Sequence, residues 1–480
     1  MSSIKQNFIF NALLSLSQVV FPLITFPYVA RVILPTGVGE VTFVESICRY
    51  VILFSALGIP IYGVREIAKV KNDKDKLNKL FTELIIIHFT ITIFISSLFV
   101  ISIYFIPLLK NNFEFYILGL FLILSNVFVI EWYFQGIGQF KFITIRNLIV
   151  KTILTILVFI VVKDKTDVIT YFSLIVITSI LNAVVNFVYA LRTIKLDFSI
   201  NLNDLKRHFK PLFYIFSSIA FISIYTLLDT IILGFMTDET TVGLYSTGLK
   251  VSRISVLFIG ALGVVLIPKL SEHFHNGRLD DFTSLISKSF KFVITFSIPI
   301  VFLLLSLSDF IIVSFAGSYF IEAGSVLKIL SLLSLLIGLS NLFGLQILTT
   351  MGKDRYLAIS GLIGMVISLG LNIILIPYYK EKGAAFSNII AETCVTVATI
   401  FFATKYIKLV IDWRFLFKTV ITAIPLFFIP IFISQYVKNI LLFMLVTTVL
   451  CAIYYIPIQL FIVKNELFID LKNKIFKKYE

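Results

Sequence analysis

The chain has 480 residues and a formal net charge of +14; 59% of its residues are hydrophobic and only 14% are charged. Soluble globular domains carry roughly 25% charged residues, so this composition excludes a soluble globular protein. The mean hydropathy of +1.01 indicates a membrane protein that crosses the bilayer several times.

Apolar stretches long enough to cross a hydrocarbon core of about 30 Å recur along the whole chain. Because backbone polar groups cannot stay unpaired in lipid, we interpret these stretches as helices. The first one carries polar residues and no small-residue cleavage site follows it, which is typical of a retained helix rather than a signal peptide. Fourteen spans are predicted, at 8–33, 41–63, 81–107, 114–134, 143–162, 168–190, 212–235, 246–268, 289–313, 326–350, 357–377, 383–404, 417–436 and 440–463.

The Lys and Arg residues are distributed unevenly between the two sides of these spans. Of the 41, 29 fall in the even-numbered connections and the two tails, seven in the odd-numbered connections, and five in or at the ends of spans. This asymmetry follows the positive-inside rule and predicts an even number of spans with both termini in the cytoplasm. The basic surplus therefore indicates membrane lipids, and no nucleic acid, as partners.

The sequence contains no signature of catalysis or of metal binding. Cys48, Cys394 and Cys451 fall in separate predicted spans, so they form neither a disulfide framework nor a ligand cluster. A Gly-rich phosphate loop ending in Lys-Ser or Lys-Thr, an HExxH helix and a nucleophile elbow are all missing. We therefore predict a protein that is not an enzyme and has no metal or cofactor.

An internal repeat relates the two halves of the chain. The string "VGEVTFVESICRYVILF" (38–54) aligns without a gap with "VGLYSTGLKVSRISVLF" (242–258), which places Arg49 opposite Arg253. The strings "GQFKF" (138–142) and "GKDRY" (352–356) align in the same way. An offset of six spans gives both halves the same orientation, as in transporters whose two bundles rock around a central site. The predicted domains are two six-helix lobes, 1–200 and 201–412, and two extra helices with a basic tail, 413–480.

Several spans carry a polar face. In span one, polar residues and prolines recur every three or four positions within a sector of about 80°. Span seven has a similar stripe. Because polar and charged side chains are costly in lipid, spans one, two, seven and eight are expected to line one cavity. The two stripes are Asn7, Asn11, Ser15, Gln18, Pro22 and Thr25 in span one and Ser218, Tyr225 and Asp229 in span seven.

Four cations in these spans are candidate ligands for an anionic substrate, and each has an alternative explanation. Arg31 lies near the end of span one, where it binds substrate or extends to the membrane interface. Arg49 lies one turn from Glu45, so the two form either part of a site or a structural ion pair. Lys250 and Arg253 have no acidic residue within four positions, which favours an anionic partner from elsewhere.

The remaining candidates concern the cavity lining or ion coupling. Glu45 and Asp229 are the acidic candidates, and Asp229 serves equally well as a structural counter-ion. Asn11 and Gln18 are the neutral polar candidates on span one.

Three strings resemble the polysaccharide repeat-unit (Wzx-type, O-antigen) flippases of the multidrug and oligosaccharidyl-lipid exporter superfamily. They are "FPYVARVILPTGVGEVTFVES", "GIPIYGVREIAKVKNDKDKLNKL" and "EWYFQGIGQFKFITIRNLI", and two strings of the second half agree. The resemblance implies an all-α, MATE-like fold with two pseudo-symmetric six-helix lobes around a central cavity. It further implies that the substrate is an oligosaccharide on undecaprenyl diphosphate, moved from the cytoplasmic to the outer leaflet of the bacterial inner membrane.

For the site, the resemblance implies a set of cations. Their charged hydrogen bonds would replace the water around the diphosphate of the substrate. Related lipid II flippases use two extra helices as a groove for the lipid tail, and spans 13 and 14 are expected to do the same here. We also expect a monomer that works beside the polysaccharide polymerase and chain-length machinery.

Two other functions remain open from the sequence. A MATE-type drug or cation antiporter shares the fold, but its cationic substrates fit poorly with four cations and one acid in spans one, two and eight. A membrane glycan polymerase or ligase usually carries a large outer loop, and the predicted outer connections are short.

Overall fold

The computed structural model describes residues 4–407 and 412–469, and over these residues all regular secondary structure is helical, with no β-strand. The basic tail from 470 onward lies outside the described residues. A 3₁₀ turn forms at Ser318–Phe320 and a π-helix at Leu342–Thr349. The α-helices are α1 (Ile4–Ala56), α2 (Ile59–Val70), α3 (Lys74–Phe105), α4 (Pro107–Asn111), α5 (Phe113–Val129), α6 (Glu131–Gly136), α7 (Phe140–Val161), α8 (Val168–Ala190), α9 (Leu202–Met236), α10 (Glu239–His275), α11 (Leu279–Ala316), α12 (Ala323–Leu330), α13 (Leu333–Asn341), α14 (Asp354–Thr404), α15 (Trp413–Ala423), α16 (Pro425–Ser434) and α17 (Ile440–Phe461).

These helices account for the predicted spans. Among the described residues, 11 segments are long and apolar enough to cross a membrane. Two of them, Ile9–Val70 and Asp354–Thr404, each contain two predicted spans. The seventh predicted span coincides with α9, of which Leu227–Met236 is apolar on its described residues. The prediction of a polytopic all-α membrane protein is therefore confirmed.

Two of the longest helices are interrupted where the sequence predicts a connection between spans. In α1 the backbone leaves helical geometry at Leu34, where φ is 63°, directly before Pro35. In α14 it does so at Lys380, where φ is 46°, three residues after Pro377. Proline disfavours helical geometry in the residue before it, which accounts for the break at Leu34, and the missing N–H of Pro377 weakens α14 about one turn before Lys380. The interruption at Leu34 thus separates spans one and two, and the interruption at Lys380 separates spans eleven and twelve.

The chain forms two compact units, Met1–Gly243 and Leu244–Glu480. The first unit contains seven of the predicted spans and the second contains the rest. The division at 200 and 412, which rests on the internal repeat, remains a prediction about the lobes.

Contacts within the first unit give the relative direction of its helices. The Thr144 hydroxyl at the start of α7 donates to the Phe10 carbonyl at 2.9 Å, and the Tyr28 hydroxyl donates to the carbonyl of Val162, just after α7, at 2.7 Å. The first segment of α1 and α7 therefore run parallel, as expected for spans one and five.

The aromatic contacts of α3 show that it runs antiparallel to α5 and α6. Phe99, near the end of α3, lies 6.2 Å from Tyr116 at the start of α5, measured between ring centroids. Phe81, near the start of α3, lies 5.1 Å from Tyr133 in α6. Spans three and four are therefore antiparallel, which agrees with a chain that crosses the membrane back and forth.

Two spans of the first unit are broken, which the sequence did not predict. Span two ends as α1 at Ala56 and resumes as α2 after Leu57 and Gly58, where φ is 43° and 79°. Span four breaks in the same way at Ile130, where φ is 30°. Hydropathy is insensitive to such breaks because the residues on both sides stay apolar.

The start of the internal repeat forms a close helix contact in the first unit. A Cβ atom on Gly39 would lie 1.6 Å from the Glu239 carbonyl oxygen, and one on Gly243 would lie 2.0 Å from the Pro35 carbonyl oxygen. The pairs are reciprocal, since Gly39 aligns with Gly243 and Pro35 with Glu239 in the repeat. Only glycine permits this approach of two backbones.

In the second unit, the C-terminal helices pack on α11. The Tyr455 hydroxyl of α17 donates to the Thr295 carbonyl at 2.7 Å, and the Asn465 amide donates to the Thr295 hydroxyl at 2.8 Å. Leu426 of α16 and Phe415 of α15 belong to the same hydrophobic core. Spans 13 and 14 are thus an integral part of this unit.

Candidate functional site

A cavity of about 670 Å³ lies inside the first unit, between the second segment of α1 and helices α5, α8 and α9. Its lining mixes aliphatic side chains with amides, hydroxyls and three ionisable groups. We refer to this cavity of the first unit as the central cavity; the cavity between two lobes that the sequence resemblance implies is a separate prediction. It is lined by Glu45, Arg49, Ile52, Leu53, Ala56, Pro60, Leu122, Asn126, Val129, Glu131, Ile175, Thr178, Ser179, Asn182, Ser223 and Leu227.

The two broken spans form one end of the central cavity. Ala56 and Pro60 flank the break between α1 and α2, and Val129 and Glu131 flank the break between α5 and α6. The side-chain amide of Asn186 in α8 donates to the carbonyl of Val129. Irregular backbone inside a membrane is tolerated where it is buried in protein or lines a cavity, and broken helices mark the binding sites of many transporters.

Arg49 and Glu45 form an ion pair on the wall of the central cavity. Arg49 donates from Nε at 2.9 Å and from Nη2 at 2.5 Å, and both bonds end on Oε1 of Glu45. The Arg49 side chain is 61% exposed and the Glu45 side chain 24%. The pair that the sequence suggested as an alternative is therefore present. The pair still presents a guanidinium to the cavity, because neither bond uses Nη1 and the Arg49 side chain is largely exposed.

A second ion pair at the cavity was missed from the sequence. Arg146 of α7 donates from Nη2 to Oε1 of Glu131 at 2.6 Å and from Nη1 to the carbonyl of Asn182 at 3.4 Å. Only 4% of the Arg146 side chain is exposed. Arg146 falls inside the fifth predicted span, yet it is one of the 29 cations assigned above to the even-numbered connections and the tails. A cation inside an apolar span was the signal in the sequence that could have identified it.

The neutral polar lining was also missed. Asn126, Thr178, Ser179, Asn182 and Ser223 come from three different helices. The available signal was on α8, where Thr178, Asn182 and Asn186 recur every four residues and therefore share one face. Such amides and hydroxyls both donate and accept hydrogen bonds, which suits a ligand rich in hydroxyl groups.

The candidates on span one lie elsewhere in the first unit. Arg31 is exposed and donates from Nη1 to the Pro27 carbonyl at 3.2 Å. The side chains of Asn11 and Gln18 are exposed. None of the three lines the central cavity.

Asp229 lies in α9, two residues beyond Leu227 of the cavity lining, and only 1% of it is exposed. This burial is typical of a carboxylate held by partners within the protein. The side chains of Ser218 and Tyr225, which complete the predicted stripe, lie outside the described residues.

Lys250 and Arg253 belong to the second unit, where both are exposed on α10. The opposite side of this helix packs on α12: a Cβ on Gly248 would lie 2.7 Å from the Val326 side chain, and the Ser252 hydroxyl donates to the carbonyl of Leu330 at 2.9 Å. At about 100° per residue, Lys250 points away from this packed face.

Comparison with known proteins places this chain in a family. Residues 4–274, more than half of the chain, match the family model described as polysaccharide biosynthesis protein. The chain is 25% identical over 415 residues to a protein of Escherichia coli strain K12 named as an O-antigen transporter, with 83% of this chain and 96% of the relative covered.

Solved structures show the same fold. The lipid II flippase MurJ in an inward closed conformation superposes with a TM-score of 0.71 at 19% identity, over 97% of this chain and 99% of that chain. An inward-facing MATE multidrug transporter superposes with a TM-score of 0.63 at 11% identity, over 81% of this chain and 94% of that chain. This multi-pass membrane protein with a MATE-like fold therefore belongs to the polysaccharide biosynthesis protein family, in agreement with the resemblance of its sequence to polysaccharide repeat-unit flippases.

Proposed function

We propose that the chain is a flippase that moves a lipid-linked oligosaccharide across the bacterial inner membrane. The observation that carries this proposal is the polar central cavity with Arg49 on its wall, in a chain of the polysaccharide biosynthesis family. The E. coli relative is named for O-antigen transport, which supports a glycan as the cargo.

The chemistry of the cavity fits both parts of such a head group. Arg49 offers N–H groups to phosphate oxygens, and a charge-assisted hydrogen bond is about twice as strong as a neutral one. Asn126, Ser179 and Asn182 offer amides and a hydroxyl to sugar hydroxyls. We infer that the substrate is an oligosaccharide repeat unit on undecaprenyl diphosphate, which travels from the cytoplasmic to the outer leaflet by alternating access.

The exposed polar residues outside this cavity support the same proposal. Asn11, Gln18 and Arg31 in the first unit and Lys250 and Arg253 in the second are exposed although they lie in predicted spans. Because such side chains are costly in lipid, we infer that they face water and contribute to the route of the charged head group.

An apolar cavity of the second unit supports a role for the C-terminal helices. It measures about 740 Å³ and lies between α11 and the pair α16 and α17. Phe292, Phe296, Leu303, Cys451 and Tyr455 line it. We propose that it holds part of the lipid tail while the head group crosses. This would explain why the chain carries two helices beyond the repeat.

The proposed orientation follows from the charge asymmetry of the connections, with both termini in the cytoplasm. We further propose that the protein acts as a monomer and delivers its substrate to the polymerase and chain-length machinery on the outer side.

Gene deletion tests the function directly. A deletion strain is expected to accumulate an undecaprenyl-diphosphate-linked repeat unit on the cytoplasmic side and to lose the surface polysaccharide, and the wild-type gene should restore both. An unchanged pool of lipid-linked glycan, together with a new sensitivity to cationic drugs, would favour the drug antiporter instead.

A further inference from the structure

A second cavity of the first unit, of about 1040 Å³, lies beside α7 and has no part in the proposed function. The connection from α2 to α3 contributes Lys71, and the start of α7 contributes Lys141. Further along, the cavity is lined by Ile145, Ile149 and Val185. We call it the basic groove.

The basic groove carries positive charge that the protein does not balance. Lys71 and Lys141 are both exposed, and neither forms an ion pair with a described residue. Both belong to connections that the charge asymmetry assigns to the cytoplasmic side. The two ammonium groups therefore lie where the negative surface potential of anionic lipids acts on them.

Deeper in the groove are buried polar atoms without partners. The Arg146 side chain is only 4% exposed, and its Nε has no hydrogen-bond acceptor among the described residues. The Gln139 Oε1 atom is buried and has no described donor. Both residues line this groove, so it holds unused hydrogen-bonding capacity beside its two lysines, whereas native proteins satisfy most buried polar groups.

The aliphatic part of the groove is open to its surroundings. Ile145 is 42% exposed, Ile149 54% and Val185 39%. A stacked pair of rings, Phe142 and Tyr189, lies 3.9 Å apart between centroids and closes the wall near Lys141. A ligand that suits the whole groove thus has a compact anionic head and a hydrocarbon chain.

We propose that the basic groove binds an anionic phospholipid of the bilayer. The phosphate lies between Lys71 and Lys141, the head group reaches the polar atoms of Gln139 and Arg146, and one acyl chain runs along Ile149. The aliphatic wall of the groove is open and its two lysines belong to cytoplasmic connections, which is where anionic phospholipids of the bilayer are available. Arg146 also holds Glu131 of the central cavity, so the lipid and the central cavity share one guanidinium.

The test is native mass spectrometry of the purified full-length chain, titrated in detergent with phosphatidylglycerol or phosphatidylcholine. The chain is expected to retain phosphatidylglycerol in preference to phosphatidylcholine. The double variant Lys71→Gln/Lys141→Gln should bind phosphatidylglycerol about thirtyfold more weakly, because each cation near the membrane surface contributes about 1 kcal/mol. The matched control Lys74→Gln/Lys210→Gln removes two exposed lysines outside the groove and should bind as the wild type does.

A second variant tests the hydrocarbon part. Ile149→Trp fills the groove without changing its charge, so it should weaken phosphatidylglycerol binding while the protein remains as thermally stable as the wild type. Equal retention of the two lipids by the wild type, or unchanged affinity in the double variant, would overturn the proposal. So would a competition in which polyprenyl diphosphate displaces phosphatidylglycerol from the wild type at equal concentration, since that result assigns the groove to the carrier lipid. The assay measures binding alone, so its outcome is independent of whether the chain transports a glycan.

Discussion

At the residue scale, Arg49 is paired with Glu45 within the protein and is also the proposed contact for the substrate. Its pairing with Glu45 is a contact between neighbouring turns of one helix, which by itself stabilises a helix by a few tenths of a kcal/mol. Its exposed guanidinium face is what an anionic ligand would contact. The two roles predict different results for the same substitutions.

Arg49→Gln is expected to lower glycan export per inserted molecule by about ten- to hundredfold, because a charged hydrogen bond worth roughly 1.5 to 3 kcal/mol is lost. Arg49→Lys should restore export only in part, since it keeps the charge without the planar fork. The measurement is surface polysaccharide divided by the amount of protein in the membrane.

The control is Arg65→Gln, which removes an arginine paired with Glu66 at 3.0 Å on an exposed face. This variant should export normally. If Arg49→Gln instead lowers the amount of inserted protein, with normal export per molecule, and the double variant Glu45→Gln/Arg49→Gln repairs the amount, then the pair is structural only.

At the element scale, the close contact at the start of the internal repeat depends on two glycines. In Gly39→Ala and Gly243→Ala the new methyl group would meet a backbone carbonyl oxygen at 1.6 Å and 2.0 Å, so helices must move apart. We expect each variant to lose about 1 to 3 kcal/mol of stability, the usual cost of overpacking. Thermal unfolding in detergent measures the loss.

Gly370 provides the matched control, because it lies inside α14 and a Cβ there would meet nothing within 4 Å. Gly370→Ala should leave the melting temperature unchanged or raise it, since alanine favours the helix by up to about 1 kcal/mol. Equal melting temperatures for Gly39→Ala and the wild type would show that the contact does not constrain the helices.

The elements also show what the sequence could and could not predict. Long apolar stretches fixed the number and order of the spans, because the membrane requires a set helix length. The breaks at Gly58 and Ile130 were not predicted, since they depend on backbone angles and leave hydropathy unchanged. The central cavity forms at those breaks. Arg49 was a candidate from the sequence alone, whereas Glu131 and Arg146 could not be assigned to the central cavity without the structure.

At the scale of the whole molecule, the charge asymmetry predicts the orientation in the membrane. Reporter fusions at Asp238 and Lys382 are expected to report the outer side, and fusions at Lys74 and Lys206 the cytoplasmic side. The antiparallel packing of α3 against α5 and α6 agrees with such a back-and-forth chain in the first unit. A robust signal from the opposite side at any of the four positions would contradict the fourteen-span topology.

The most direct test of the account is transport of the lipid-linked glycan by the purified protein. The glycan that accumulates in a deletion strain is incorporated with the protein into liposomes, and the fraction on the outer leaflet is followed with a lectin or glycosidase that cannot cross the bilayer. Wild-type protein is expected to equilibrate the glycan between leaflets at a rate proportional to protein, with Arg49→Gln about ten- to hundredfold slower. A rate with wild-type protein equal to that of protein-free liposomes would contradict the proposal that this chain is a flippase, provided that the protein recovered from the liposomes still unfolds cooperatively.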